Sequence, residues 1–235
     1  MLQILGLIIL MGDSPNQLKE HRQDCLCHPH RASVVMRIAP EHVLMLKHYS
    51  LAYYHRTLPH WLPEGHAIFL TWRLHGSLPG CMERELRAEK ELVAGEEFAR
   101  FDKQLDRAEL GPLWLKDNRV ADCVGCCVEL GDFKFRQYEL HSFVIMANHV
   151  HLLLSPKIAL QCITRNLKGV TARLSNHILH RTKQPCWQDE SYDHWCRDEA
   201  EFQRVRGYIA RNPVKAGLVA KPEDWPWSSA HRLGK

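Results

Sequence analysis

Residues 143–155 read FVIMANHVHLLLS and set His149 and His151 one residue apart within an apolar run. In a strand, residues i and i+2 project from the same face. The two imidazoles therefore stand side by side, while Val150, Leu152 and Leu154 point the other way, toward helices that would cover them. That leaves the pair expected on the open face of a sheet. Two parallel imidazoles can share one divalent cation, whereas burying both without a partner is costly or forces them neutral. Farther on, YIARNPVKAGLV places Asn212 four residues after Tyr208, on one helix face. A phenol holds its proton with a pKa of about 10, but beside a cation that polarises an electrophile it becomes a candidate nucleophile. Asn212 could offer an oxygen to the same ion. Each feature alone has a plainer reading: an HxH can be a locally hydrogen-bonded surface pair, and a helical tyrosine an amphipathic core residue.

The elements that must position these groups follow from periodicity. With 235 residues, of which 45% are hydrophobic, the chain can bury a sizeable core. A formal charge of +4 permits an anionic partner without demanding one. Nine cysteines form no evenly spaced framework and fit reduced thiols in a cytoplasmic protein. CVGCC could be half a zinc site, but it sits in a helical period and no second pair stands at suitable spacing. The N-terminal run MLQILGLIILMG is too short to span a bilayer and lacks the flanks of a secretion signal. Residues 1–48 show no sustained period and read as a poorly specified extension, with Met45 an alternative start and HPH at 28–30 incidental.

From residue 49 the pattern sharpens into one domain, 49–235. HAIFLTWRL (66–74) reads as a first strand ending at the turn GSLPG. MERELRAEKELVAGEEFARFDKQL is charged and helical in period, and Asp117 caps a second helix, NRVADCVGCCVEL. QYELHSFVIM and HVHLLLS are two strands separated only by Ala147 and Asn148, which implies a tight hairpin. Leu160, Ile163, Leu167, Val170, Leu174 and Ile178 recur at helical spacing. CWQDESYDHWCR reads as a last strand, and DEAEFQRVRGYIARNP as a helix capped by Asp198 and stopped by Pro213. The predicted class is α+β: a ferredoxin-like antiparallel sheet of split βαβ plan, with an added C-terminal helix carrying Tyr208.

Together these stretches resemble the HUH endonuclease superfamily and, within it, the REP-associated tyrosine transposases, relatives of single-tyrosine insertion-sequence transposases. YHRTLPHWLPEGHAIFLTWRLHGSLP resembles the family's opening strand, GPLWLKDNRVAD its central helix and FVIMANHVHLLL its HUH strand. LKGVTARLSNHIL, WQDESYDHWCRDEAEF and YIARNPVKAGLV follow in family order. One departure is Ala147, where the family usually has proline before Asn148. The resemblance implies that Tyr208 is the nucleophile, that His149 and His151 ligate a divalent metal, Mg or Mn, and that Asn212 occupies the third-ligand position. Imidazole ligands suit manganese better than magnesium. It implies a transposase-like enzyme that cleaves and rejoins single-stranded DNA, bearing hairpins or REP-like sequences, through a 5′-phosphotyrosine. The protein would act as a monomer or homodimer, with no membrane.

Phosphate grip should come from basic residues near the site. Arg165, Lys168 and Arg173 lie along the second sheet helix, with Lys168 matching a family lysine, and Arg204 and Arg211 flank Tyr208. His194 is expected to hold a DNA phosphate or the tyrosine helix. Two rival functions remain open: a non-catalytic DNA-binding protein of the same fold, and an HxH metal hydrolase that uses water as nucleophile, with Asp193 and His194 as extra ligands.

Overall fold

The computed structural model describes residues 54–55, 59–60, 65–78, 94–107 and 111–233, all within the unit His48–Lys235. The expected extension 1–48, with Met45 and the HPH triplet, lies outside them. A two-residue antiparallel ladder, Tyr54–His55 with Pro59–His60, precedes the main sheet. The elements that follow are β1 (Ile68–Arg73), α1 (Ala94–Arg107), α2 (Asn118–Phe133), β2 (Tyr138–Ile145), β3 (His149–Pro156), α3 (Leu160–Ile178), β4 (Tyr192–Trp195), α4 (Glu199–Lys215) and α5 (Ser229–Leu233).

The four strands form one antiparallel sheet in the order β2–β3–β1–β4. β3 pairs antiparallel to both β1 and β2, so the first crossover joins two parallel strands with β3 inserted between them. This is the split βαβ, ferredoxin-like arrangement. Every residue of β1 is buried, as a central strand covered on both faces requires. Alternation divides the sheet into two faces. On one, Trp72 meets Trp187 edge to face at 6.0 Å, and the Trp187 indole donates to Thr171 Oγ1 of α3 at 2.9 Å. On the other, Phe69, Val144, Met146 and Leu153 pack with Ile209, and Phe202, Val205 and Tyr208 of α4 lie against them. The tyrosine helix thus covers the face to which His149 and His151 belong, and α3 covers the opposite one.

Local signals explain most boundaries. Asp117 accepts from the Arg119 N–H at 3.0 Å and starts α2; Asp198 accepts from the Glu201 N–H at 2.7 Å and starts α4. The hairpin closes tightly, with the Met146 N–H donating to the His149 carbonyl at 2.9 Å across Ala147 and Asn148. Alanine in place of the usual proline therefore still permits the turn.

Several boundaries differ from the sequence reading, three of them informatively. The first strand is Ile68–Arg73 and the last only Tyr192–Trp195. Pro213 does not stop α4, which continues to Lys215. A proline in the last turn keeps a helical φ and forfeits one hydrogen bond. The real stop is Gly217 at φ +70, where Leu218 N–H reaches the Pro213 carbonyl and Gly217 N–H the Val214 carbonyl, a pattern that needs a left-handed residue.

Candidate metal and nucleophile site

β3 brings His149 and His151 onto one face, as their spacing predicts, but that face is not open. Both imidazoles are 0% exposed. α4 covers them from one direction, and α1 supplies two carboxylates from another. Asp102 Oδ1 lies 3.2 Å from His151 Nε2 and 3.7 Å from His149 Nε2, and Asp106 Oδ1 lies 3.7 Å from His149 Nε2. Asp102 and Asp106 sit four residues apart and so share a helix face. The other ring nitrogens are held from behind: His151 Nδ1 is 2.7 Å from Thr71 Oγ1, its cross-strand neighbour, and His149 Nδ1 is 2.7 Å from Asn148 Oδ1.

α4 contributes the remaining groups. Tyr208 packs its ring 5.8 Å from the His151 ring and edge-on to Phe69 at 6.1 Å. One turn later Asn212, fully buried, places its amide nitrogen 3.3 Å from His151 Nε2. Amide oxygen and nitrogen are interchangeable by rotation, so the same side chain can present its oxygen there. Lys215 bridges α4 to α1, with Nζ 3.5 Å from Asp106 Oδ2 and 5.2 Å from the centre of the Tyr208 ring.

Burial governs the electrostatics. It lowers the His149 pKa to about 3, reinforced by His151 and opposed by Asp102, so His149 is neutral at physiological pH. Burial also raises Asp106 to about 6, with the Asp102 charge adding to it. At Asp102 burial again raises the pKa, but its interaction with the His151 ring 3.2 Å away, with smaller help from Lys215, outweighs burial and leaves the pKa below its ordinary value.

These residues fit a divalent cation. Asp102, His149 and His151 each offer a ligand atom within 4.8 Å of the others, the one such cluster among the described residues. Asp102 Oδ2, Asp106 Oδ1, His149 Nε2 and Asn212 Oδ1 are buried without a hydrogen-bond partner, while Asp102 Oδ1 faces His151 Nε2 at 3.2 Å and Asp106 Oδ2 faces Lys215 Nζ at 3.5 Å. Leaving several acceptors dry is expensive, and a cation among them removes that penalty. One carboxylate with two imidazoles suits manganese better than magnesium.

The DNA-contact candidates separate. Arg204 and Arg211 are exposed on α4, and the Arg211 guanidinium lies over Gly207, beside the nucleophile candidate. Arg165 and Arg173 are exposed on α3, across the sheet from the histidines. Lys168, also on α3, donates to the carbonyls of Gln188 at 2.6 Å and Asp189 at 2.8 Å, and to Ser191 Oγ at 3.2 Å, so its ammonium pins the lead-in to β4. His194 Nε2 meets Glu201 Oε1 at 2.9 Å and ties β4 to the start of α4. CVGCC lies in α2, with Cys123 and Cys127 buried.

Sequence reasoning missed Asp102, Asp106 and Thr71. A signal existed for Asp102: it stands four residues after Phe98 and next to Phe101, on the apolar stripe of an otherwise charged helix.

Residues 132–212, which include both histidines, Tyr208 and Asn212, match the family described as transposase IS200 like. The chain is 24% identical over 97 residues to the REP-associated tyrosine transposase of Escherichia coli, covering 41% of this chain and 57% of that protein. A Haemophilus influenzae protein named for the same family is 28% identical over 106 residues, covering 40% of this chain and 60% of that protein. The chain thus spans less than two thirds of the length of these curated relatives. A solved structure of a REP-associated tyrosine transposase bound to a REP hairpin aligns with a TM-score of 0.44 at 19% identity, over 77% of this chain and 84% of that one. No helix among the described residues is long and apolar enough to cross a membrane. Residues 132–212 are thus similar to the IS200-like transposases, and the chain is similar over about two fifths of its length to two REP-associated tyrosine transposases.

Proposed function

We propose that residues 49–235 form a metal-dependent endonuclease and strand transferase that acts on hairpin-containing single-stranded DNA through a 5′-phosphotyrosine. The observation that carries this reading is the meeting of α4 with the histidine strand: Tyr208 packs edge-on to His151 while Asn212, one turn away, reaches the same imidazole.

His149, His151 and Asp102, with Asn212 as a further oxygen donor, would hold the ion. A divalent ion, Mg or Mn, supplies charge withdrawal from the non-bridging oxygens of the phosphate. Tyr208 Oη, buried in the structure, forms the new bond to phosphorus as its O–H bond breaks and the proton passes to a water admitted with the DNA. The bond from phosphorus to the deoxyribose 3′-oxygen breaks, and that oxygen leaves and takes up a proton. Because the phosphodiester energy is kept in the tyrosyl link, a free 3′-hydroxyl can reverse the step and rejoin strands. Phe69 and Ile209 fix the Tyr208 ring by packing, which limits the orientations its oxygen can sample. Arg204 and Arg211 would neutralise phosphates beside the nucleophile. Arg165 and Arg173 would meet only DNA that wraps to the other helix layer. Lys168 would act by shaping β4, and His194 by anchoring α4.

The test is to incubate the full chain and Tyr208→Phe with labelled single-stranded hairpin DNA and Mn²⁺, then run a denaturing gel. The variant keeps the ring and deletes the oxygen. It should bind hairpin DNA as the parent does, cut nothing and form no covalent adduct. Cutting that persists without an adduct identifies a hydrolase using water. A persistent 5′ adduct identifies another nucleophile, with Tyr192 of β4 next to test. A parent that binds but never cuts is a pure binder.

A further inference from the structure

We propose that Asn148 sets the tautomer of His149 and, with the same amide, fastens α1 to the histidine strand; this rests on the metal reading of the site. Asn148 occupies the two-residue turn between β2 and β3 and is 1% exposed. Its Nδ2 donates to the Leu105 carbonyl of α1 at 3.1 Å, and its Oδ1 lies 2.7 Å from His149 Nδ1. A backbone carbonyl can only accept, so the amide nitrogen must face Leu105. The amide oxygen, also only an acceptor, must then face His149. His149 Nδ1 therefore carries the proton, and Nε2, buried among the carboxylates, keeps its lone pair. A rotated amide would set oxygen against oxygen at Leu105 and turn its N–H groups toward His149. The opposite tautomer would follow, with a hydrogen where a ligand is needed.

The same bond fixes how α1 sits. Leu105 lies between Asp102 and Asp106 on one helix, so the amide that orients one ligand also sets the approach of the carboxylates. Asn148 is thus a positioning residue that touches neither substrate nor ion. Holding the second nitrogen of a metal-binding imidazole in this way commonly controls affinity by 10–100-fold.

The experiment is nitrogen NMR of the full chain labelled with ¹⁵N-histidine at neutral pH without metal, joined to Mn²⁺ titration by calorimetry. Wild-type His149 should be protonated on Nδ1. Asn148→Asp keeps the acceptor and should keep that tautomer. Asn148→Ala should lose it and weaken Mn²⁺ binding by about 10–100-fold. Wild-type His149 protonated on Nε2 would overturn the proposal, and that spectrum requires no variant to fold. An unchanged tautomer and Mn²⁺ affinity in Asn148→Ala would overturn it equally, even with a lowered melting temperature. Wild-type protein that shows the Nδ1 proton but binds no Mn²⁺ sinks the metal reading and upholds the tautomer assignment.

Discussion

Asp102→Asn probes the carboxylate that the sequence concealed. The substitution is nearly isosteric and removes one negative charge from a fully buried position, where Oδ1 lies 3.2 Å from His151 Nε2 and Oδ2 has no hydrogen-bond partner. A cation that binds only the folded protein stabilises it by RT ln(1 + [L]/Kd), about 2.7 kcal/mol at a hundredfold excess over Kd. In a domain of this size that raises the melting temperature by roughly 5–11 °C. Loss of an anionic ligand should weaken binding by at least the 10–100-fold typical of losing an outer support. At the same Mn²⁺ concentration the variant then retains only about 0.4–1.4 kcal/mol, a rise of roughly 1–6 °C. The assay is thermal unfolding of chelator-treated protein with and without Mn²⁺, each variant against its own metal-free baseline. Equal shifts in the two proteins would remove Asp102 from the ligand set. No shift in the parent would remove the cation itself.

Glu201 should confer acid sensitivity. The Arg197 hydrogen bond, with smaller help from the Arg197 N–H and His194 and against the cost of burial, holds its pKa at about 2, below the 4.5 expected unfolded. The stabilisation is therefore complete above about pH 4.5 and is lost as pH falls toward 2, and Glu201→Gln should flatten that limb of a stability–pH curve. Because Arg197 is largely exposed, solvent screens the pair and the effect is small; an unaltered acid limb would contradict the assignment. Gly131→Ala should destabilise α2 by about 1–3 kcal/mol, because a Cβ there collides with Tyr138 Oη, which donates to the Val128 carbonyl. Denaturant unfolding would show it, and a neutral result would mean that Tyr138 can move aside at no cost.

What could be read from the chain, and what could not, follows from the range of each interaction. Caps at Asp117 and Asp198, the hairpin at Ala147–Asn148 and the α3 stripe are local signals between residues a few positions apart, and all appear in the structure. So does the shared face of His149 and His151, a consequence of strand geometry alone. The cover over that face was not legible. It depends on α1, more than forty residues upstream, which reads only as a charged helix until the fold buries two of its acids. Lys168 shows the same difficulty in reverse: a basic residue suited to phosphate spends its ammonium on the carbonyls that precede β4. Pro213 was misread because a breaker in the last turn breaks little.

The C-terminal segment has a consequence for self-association. β2 is an edge strand, and an uncovered edge is a template on which a foreign strand can add. Here Ser228 bridges Val144, the Ile145 N–H donates to the Trp227 carbonyl at 2.9 Å, and the Trp225 indole donates to the Ile145 carbonyl at 2.9 Å. Ser229 Oγ takes the Phe143 N–H at 3.1 Å. The polar groups of that edge from Phe143 to Ile145 are already spoken for by the protein's own tail. A second copy that sought to extend the sheet at Phe143–Ile145 would first have to peel this segment away, so that end of the edge is closed to strand addition.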